Sequence, residues 1–243
     1  MLRLLGRAKA RPSKRSCYTN NWHTTYPERT EYRTARIIQV AFTVSKLGDT
    51  VVKKLKGFDE INPWDLTENV FKAIGKDYME LVMGNPTTGA NAMTAAWGGL
   101  GVMWNVPVAF VVVRGEKYRY SRHLMDQEPL FTVDFLGDEH DKAKTYLGTA
   151  HGWDDPHKIE SAGLHTGWCG VDLTHDEKIG LGEHVHTPFI EESRLVLVCE
   201  KICEQELSRE CYKDSALWER WYTTQDQHRL YIAEIKAAFA KSN

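Results

Sequence analysis

One stretch of the chain holds the residue types best suited to ligand chemistry. It begins at Asn91 and reads NAMTAAWGGLGVMWNVPVAFVVVRGEKYRY. Asn91 and Thr94 stand among small residues, which lets backbone amides and short polar side chains come close to a ligand. The apolar segment that follows ends in a cationic patch formed by Arg114, Lys117 and Arg119. The combination predicts a site for a flat, aromatic, anionic ligand.

The elements around this stretch are predicted from hydrophobic periodicity. PVAFVVVRG, FTVDFLG and YMELVMGNP are typical of strands, and the last of these ends at an Asn-Pro turn. Three segments favour helix: one from Asp65 capped by Thr67, one that stops near Pro129, and DEHDKAKTYLGTAHG. In the third helix we expect Lys142 and Lys144 on the exposed side.

The remaining segments of the chain give less uniform patterns. RIIQVAFTV (36–44) is consistent with a short strand, and residues 165–188 predict an irregular insertion or lid rich in Gly and His. RLVLVCEKICEQEL and HRLYIAEIKAAFA predict the last strands, although AEIKAAFAK alone would also suit a helix.

Several strands joined by turns, with few helices, favour a mainly β fold, a β-barrel with peripheral helices. A doubly wound α/β fold is the alternative. It is rejected because GGLG at 98–101 is not the G-x-G-x-x-G turn of a dinucleotide fold and no acidic residue follows a second strand.

Charge divides the chain into two parts. Residues 1–60 carry 13 Lys/Arg against 5 Asp/Glu, whereas residues 61–243 carry 18 against 28. The acidic body disfavours nucleic-acid binding. Residues 1–16 are basic and acid-free, which is compatible with an organelle transit peptide, a basic tail for nucleic acid or anionic membrane, or residues ahead of the true domain. No apolar run is long enough to span a membrane, and we expect a cytoplasmic protein.

Cysteine and histidine offer weaker candidates. Five cysteines at irregular spacing predict free thiols in a reducing compartment, with Cys199 in the core. His184 and His186 would share one face of a strand, and further candidate ligands lie nearby at 165, 169 and 175. No third ligand follows at a recognisable spacing, so a metal site is not predicted.

The ordered set of motifs resembles the flavin reductase-like family, whose members have an FMN-binding split β-barrel, and especially its flavoredoxin-like branch. The resemblance runs from about Lys72 to Lys236 and implies a split β-barrel domain at 61–243 after a basic extension at 1–60. Its landmarks are Asn-x-Met-Thr-x-x-Trp-Gly-Gly from Asn91, VVVR, FTVDF, HGWDDPHK, FIEESRLVLVCEK and HRLYIAEI. It further implies a homodimer with FMN at the interface.

Site residues follow from the same resemblance. The first motif implies contacts to the isoalloxazine and ribityl chain, the end of the Val-rich strand implies contacts near the phosphate, and HGWDDPHK implies a second loop. The implied cofactor-binding residues are Asn91, Met93, Thr94, Ala95, Trp97, Arg114, Lys117, Tyr118, His151, Gly152, Asp154, Lys158 and His228.

This sequence departs from the family pattern at two positions. Arg119 stands where a Thr usually follows the tyrosine, and Trp153 replaces an Arg in the second loop. Simpler roles are also open: Trp97 and Trp104 in the barrel core, and Arg114 in a surface pair with Glu116 or Asp134.

Two functions are compatible with the resemblance. One is an NAD(P)H-dependent flavin reductase, in which FMN does the chemistry and no Ser-His-Asp or Cys-His set is needed. The alternative is a flavoredoxin-type electron carrier that exchanges electrons with a protein partner. The acidic body would suit a basic partner. A third reading is a relative whose barrel no longer binds flavin.

Overall fold

The computed structural model describes residues 51–115, 119–172, 184–222 and 226–242, all within the compact unit 46–243. The predicted strand at 36–44, the leader at 1–16, and Cys17, Lys117, Tyr118 and His175 lie outside the described residues. In the described part, eleven strands are β1 Val51–Val52, β2 Phe58–Ile61, β3 Met79–Asn85, β4 Gly89–Ala95, β5 Gly98–Met103, β6 Val106–Arg114, β7 Leu130–Phe135, β8 Thr166–Asp172, β9 His184–Ile190, β10 Leu195–Glu206 and β11 His228–Lys241.

Short helices surround these strands. The α-helices are α1 Val70–Gly75, α2 Tyr120–Gln127, α3 Asp141–Thr149, α4 Lys158–Ser161 and α5 Ser215–Trp221, and single 3₁₀ turns occupy Pro63–Asp65, Asp138–His140 and Arg209–Cys211. Asn69, rather than the predicted Thr67, caps α1, because its side chain accepts the backbone N–H of Lys72.

The strands form two antiparallel sheets. The larger has the order β4–β3–β7–β10–β11–β6–β5, with β2 also paired to β11, and the smaller has the order β1–β8–β9. The prediction of a mainly β fold with a few peripheral helices is confirmed. Residues 51–60, which the charge pattern groups with the extension, pair with the body through β1 and β2.

The described flanks of the 165–188 segment are regular, so the irregular insertion or lid expected there is wrong for them. β8 and β9 pair antiparallel, and β9 crosses β7, where the Thr132 hydroxyl donates to the Pro188 carbonyl at 2.9 Å. Phe189 packs with Val196 and Phe239 between the two sheets. This packing explains why the segment folds back onto the large sheet.

Both faces of β3 are covered. Leu81 and Met83 face the main core with strands β6, β7, β10 and β11, whereas Val82 faces a separate cluster under α3 and α4 that includes Leu147 and Ile159. The strand is therefore buried on both sides. This burial matters for Glu80, which lies on the same face as Val82.

One exposure prediction is wrong, and the simpler alternative of a core position for two tryptophans does not hold. Lys144 is buried rather than exposed, since it lies on the inner side of α3 next to Ala143. Trp97 and Trp104 are exposed and not in the barrel core. Trp104 and Asn105 both have positive φ in the two-residue turn between β5 and β6, and this turn projects the Trp104 ring outward. HRLYIAEIKAAFA is a strand throughout, as predicted.

No helix in the described ranges combines the length and apolar character that crossing a membrane requires.

Candidate functional site

A cavity of about 170 Å³ lies where β4, β6 and β11 meet the start of α2 and the segment from α3 to α4. The strands set its geometry, because Arg114 on β6 is the direct cross-strand neighbour of His228 on β11. Met93 and Thr94 enter from β4, and Lys158 is the first residue of α4. Elements far apart in sequence therefore build one site.

The structure brings together seven of the predicted site residues. The cavity wall contains Met93, Thr94, Arg114, His151, Gly152, Lys158 and His228.

Four other predicted residues lie beside the cavity rather than in its wall. Ala95 is buried in the core, and Trp97 packs on His228 with ring centroids 5.0 Å apart. Asn91 lies behind the wall, and Asp154 is exposed in the turn after His151, whose carbonyl accepts its backbone N–H at 3.0 Å. Lys117 and Tyr118 are outside the described residues.

Seven residues of the wall are absent from the predicted set: Val113, Arg119, Tyr120, Ser121, Leu147, Gly148 and Ala150. Arg119 belongs to the cationic patch already recognised in the sequence. Tyr120 and Ser121 directly follow it, so the start of helix α2 was the signal that could have identified them. Leu147 and Gly148 carry no chemical signature in the sequence. Their place in the wall depends on how α3 packs.

The described wall is basic. Three cationic side chains line it, those of Arg114, Arg119 and Lys158, together with the His228 imidazole, and no carboxylate belongs to the wall. A neighbouring cavity of about 610 Å³ shares Thr94 and Gly148 with it but contains three aspartates against two lysines. The smaller cavity is therefore the one suited to an anion.

Lys158 is the most unusual group in the wall. Its side chain is only 3% exposed, and its ammonium makes no hydrogen bond or salt bridge with any residue that the structure describes. Burial lowers the pKa of Lys158 to about 8. The side chain is thus charged at neutral pH and keeps three N–H donors for a ligand.

Glu80 lies beneath the wall. Burial raises the pKa of its carboxyl to about 8, so the group is neutral at pH 7 and does not cancel the charge of Lys158. The Thr94 hydroxyl lies 2.8 Å from Glu80 Oε2 and 2.5 Å from the Lys144 carbonyl oxygen. These contacts fix the Thr94 side chain in the wall.

His228 is held neutral. Burial, and then the nearby arginines, lower the pKa of its imidazole to about 4. The Tyr212 hydroxyl donates to the Tyr222 oxygen at 3.0 Å, and that oxygen lies 2.9 Å from His228 Nδ1. In the tautomer that accepts from Tyr222, Nε2 carries the proton and can donate to a ligand.

Arg114 does not pair with Asp134, one of its two simpler alternatives; the other, Glu116, lies outside the described residues. Its guanidinium donates to the Trp221 carbonyl at 3.1 Å and lies over the Tyr222 ring, 5.7 Å from the centroid. Asp134 is fully buried elsewhere and accepts the backbone N–H of Ile190 at 2.7 Å. Arg114 thus remains next to the cavity with donors to spare.

The start of α2 contributes further donors. The first N–H groups of a helix have no intrahelical acceptor, and Arg119 at the N-cap makes no side-chain cap bond. Asn91 Nδ2 donates to Ser121 Oγ at 2.8 Å. Because that oxygen acts as acceptor, its own proton is available to the cavity.

Gly152 allows close packing at the wall. A Cβ atom there would lie 2.5 Å from both Asn91 Oδ1 and Tyr120 Cδ1, closer than real Cβ contacts. The loop after α3 can approach β4 and α2 only because this position has no side chain. Asn91 Oδ1 has no hydrogen-bond partner in the described residues.

Among the residues that the structure describes, two separate aromatic groups adjoin the cavity. One contains His228, Trp97 and Trp221, with the two indoles 5.0 Å apart and edge to face. The other, which we call the Tyr120 platform, consists of Tyr120, His123 and Trp153.

No group of three or more His, Cys, Asp and Glu suited to a metal ion occurs among the described residues. His184 and His186 lie on β9. Cys169 is buried in the packing between the sheets.

No family model matches the chain, and none of the curated proteins compared with it matches. Among solved structures, it is similar to an FMN-binding domain of a flavin reductases-like enzyme from Shewanella baltica OS155, at 16% identity and a TM-score of 0.48 over 80% of this chain and 79% of that one. It is also similar to the flavoredoxin of Desulfovibrio vulgaris (Miyazaki F), at 18% identity and a TM-score of 0.47 over 77% and 76% of the two chains. The flavoredoxin from Methanosarcina acetivorans gives 20% identity and a TM-score of 0.45 over 76% of each chain.

Proposed function

We propose that the chain binds FMN and acts as a flavin-dependent oxidoreductase, with NADH or NADPH as the electron donor. The observation that carries the proposal is the basic cavity, in which Lys158 is 3% exposed and its ammonium makes no hydrogen bond or salt bridge with the described residues. A buried charge without a partner is costly. A phosphate group would supply the missing partner.

The wall fits a phosphate monoester. Charge-assisted donors come from Arg114, Arg119 and Lys158, and the first turn of α2 adds backbone N–H groups. Ser121 adds a hydroxyl. The aromatic group of His228, Trp97 and Trp221, which we call the Trp97 group, then provides a surface for the isoalloxazine ring.

When bound, the flavin supplies the redox chemistry, and the protein orients it. His228 contributes an uncharged donor, because its imidazole remains neutral over the physiological range. Arg114 and Lys158 provide positive charge that favours anionic ligand groups.

A flavoredoxin-type electron carrier is the second candidate. The observation that favours it is the acidic composition of residues 61–243, which would attract a basic redox protein. The homodimer, cytoplasmic location and redox partner remain predictions.

The first test is the visible absorption spectrum of the purified protein, recorded with added FMN before and after anaerobic addition of NADH or NADPH. We expect flavin bands in the protein fraction that bleach with the nicotinamide. Bands that persist until dithionite is added would instead favour the electron carrier. A protein that binds no FMN would refute both candidates.

A matched pair of variants tests the phosphate site. Lys158→Met should weaken FMN binding about 10- to 100-fold, since a hydrogen bond to a charged group contributes about 1.5–3 kcal/mol. Lys142→Met makes the same change of charge on the exposed side of α3 and should leave the affinity nearly unchanged. Equal effects from the two variants would contradict the assignment.

A further inference from the structure

The Tyr120 platform is an aromatic surface that core packing explains only in part, because Tyr120 packs against the main core whereas Trp153 is exposed. Ring centroids lie 4.6 Å apart for Tyr120 and Trp153, 5.4 Å for His123 and Trp153, and 6.2 Å for Tyr120 and His123. The Trp153 ring is 57% exposed. Since burying an aromatic side chain is favourable, an exposed Trp in a cluster at a cavity indicates a surface that receives a ligand.

The platform begins at the cavity wall itself. Tyr120 belongs both to the wall and to the platform, and Trp153 directly follows Gly152 of the wall. A ring stacked here would therefore lie close to an anion bound in the cavity.

Hydrogen bonds of the backbone and of the Tyr120 side chain hold the platform in place. The His151 carbonyl accepts the N–H groups of Asp154 and Asp155, both at 3.0 Å, which closes the turn that carries Trp153. The Tyr120 hydroxyl donates to the Thr88 carbonyl at 3.4 Å. A fixed surface loses little entropy when a ligand binds.

The cavity is too small for a whole nucleotide. Its 170 Å³ lies below the roughly 300–1,000 Å³ typical of sites that enclose a small molecule. The rings of a ligand anchored here by phosphate therefore extend beyond the cavity, and the aromatic surfaces beside it offer stacking partners. Among the described residues two such surfaces adjoin the cavity, and FMN has one ring system and so uses one of them.

We propose that the Tyr120 platform binds the adenine base of an adenine nucleotide while the flavin ring lies on the Trp97 group. This inference rests on the proposed function. Adenosine is present both in FAD and in NAD(P)H, and either source would present a purine face linked through ribose to a phosphate. Stacking of a base on aromatic side chains contributes enough affinity to be measured by substitution.

The test compares ligands with and without adenine. Dissociation constants for FMN and FAD are measured by flavin fluorescence in the wild type, in Trp153→Ala and in Trp104→Ala. Trp104 is the matched control because its ring is 58% exposed at the β5–β6 turn and does not belong to the platform. In a second arm, ADP-ribose is titrated into the FMN-loaded protein.

If FAD is the source of the adenine, FAD binds more tightly than FMN. Trp153→Ala then weakens FAD about 5- to 100-fold with little effect on FMN. If NAD(P)H is the source, FMN and FAD bind with similar affinity. ADP-ribose then binds the FMN-loaded protein, and Trp153→Ala weakens that binding by about 5- to 100-fold. In both cases Trp104→Ala resembles the wild type.

Equal losses of FMN and FAD affinity in Trp153→Ala would overturn the proposal, because the flavin ring itself would then occupy the platform. The absence of any adenine-dependent binding in both arms would also overturn it, while FMN binding would leave the proposed function standing. Failure to bind either flavin would refute the proposed function. ADP-ribose binding to the flavin-free protein that depends on Trp153 would in that case still support the platform.

Discussion

At the scale of single residues, the cavity depends on three positions that are unusual in their charge, their protonation or their lack of a side chain. Lys158 is a buried cation without a partner in the described part of the chain, Glu80 is a buried acid that keeps its proton at neutral pH, and Gly152 is a position where a side chain cannot fit. Each is unfavourable or restrictive for folding alone. Together they keep space and positive charge for a ligand.

Gly152→Ala should destabilise the protein by about 1–3 kcal/mol, since the added methyl group would force Asn91 or Tyr120 to move. It should also weaken FMN binding, because both neighbours support the wall. Urea unfolding and a flavin titration measure the two effects. Gly75→Ala at the end of α1 is the control, as a Cβ there meets no atom. Equal stability of both variants would contradict the close packing at Gly152.

Sequence reasoning found part of this site and missed part for identifiable reasons. Thr94, Arg114 and Lys158 were predicted as site residues because they belong to recognisable motifs or carry a positive charge. Glu80 was missed because a Glu in a strand usually faces water, and only the cluster under α3 and α4 shows that β3 is covered on both faces. Lys144 was predicted to be exposed because a Lys in a helix also usually faces water.

At the scale of elements, a polar row crosses the buried strands β3 and β7 and the half-buried edge strand β4. Glu80 on β3 is the cross-strand neighbour of both Thr94 on β4 and Asp134 on β7. Burial raises the pKa of Asp134 to about 7, beside the raised pKa of Glu80. The row links the cavity wall to the packing of β9, because Asp134 accepts from Ser193 at 3.1 Å as well as from Ile190.

The row makes stability depend on pH. Both carboxyls have folded pKa values above their unfolded values of about 4, so the native state binds more protons between about pH 4 and 8. The contribution of these two carboxyls to stability should therefore fall as pH rises through this window, whereas the lowered pKa of His228 acts in the opposite direction below about pH 6.5. Glu80→Gln should flatten the slope, and the exposed Glu60→Gln on β2 should not. Thermal unfolding from pH 5 to 9 measures this, and an unchanged slope in Glu80→Gln would exclude the carboxyl as its source.

At the scale of the whole molecule, an ion-pair network connects α2 to the two longest strands. Arg122 binds Asp126 and Glu206 at 3.0 Å, and Arg229 on β11 binds the same two carboxylates at 3.1 and 2.8 Å. The Tyr231 hydroxyl also donates to Asp126. The helix that faces the cavity is thereby fixed to β10 and β11.

Asp126→Asn should destabilise the protein by about 1.5–3 kcal/mol, since Arg122 is 2% exposed and would lose one of its two carboxylate partners, Glu206 being the other. Glu204→Gln removes a carboxylate from the exposed edge of the same network and should cost less than about 1 kcal/mol. Chemical denaturation compares the two. Similar losses would show that burial does not govern the energy of this network.

The sequence predicted the mainly β architecture and most strands, because apolar runs such as PVAFVVVR and RLVLVC are long and β-branched. It failed where long-range packing decides the outcome. β8 and β9 are regular only because Phe189 and its neighbours find a surface on the large sheet, and that surface is made by residues distant in sequence.

The central position of β11 has a consequence for synthesis of the chain. This strand pairs with β2, β6 and β10, and it fills the gap between β6 and β10 in the sheet order. On the ribosome, Arg114 and Lys158 emerge well before His228. Until β11 arrives, the nascent chain carries unpaired strand edges on both sides of that gap, and such edges promote aggregation. The strand that completes the cavity is thus also the one that covers these edges.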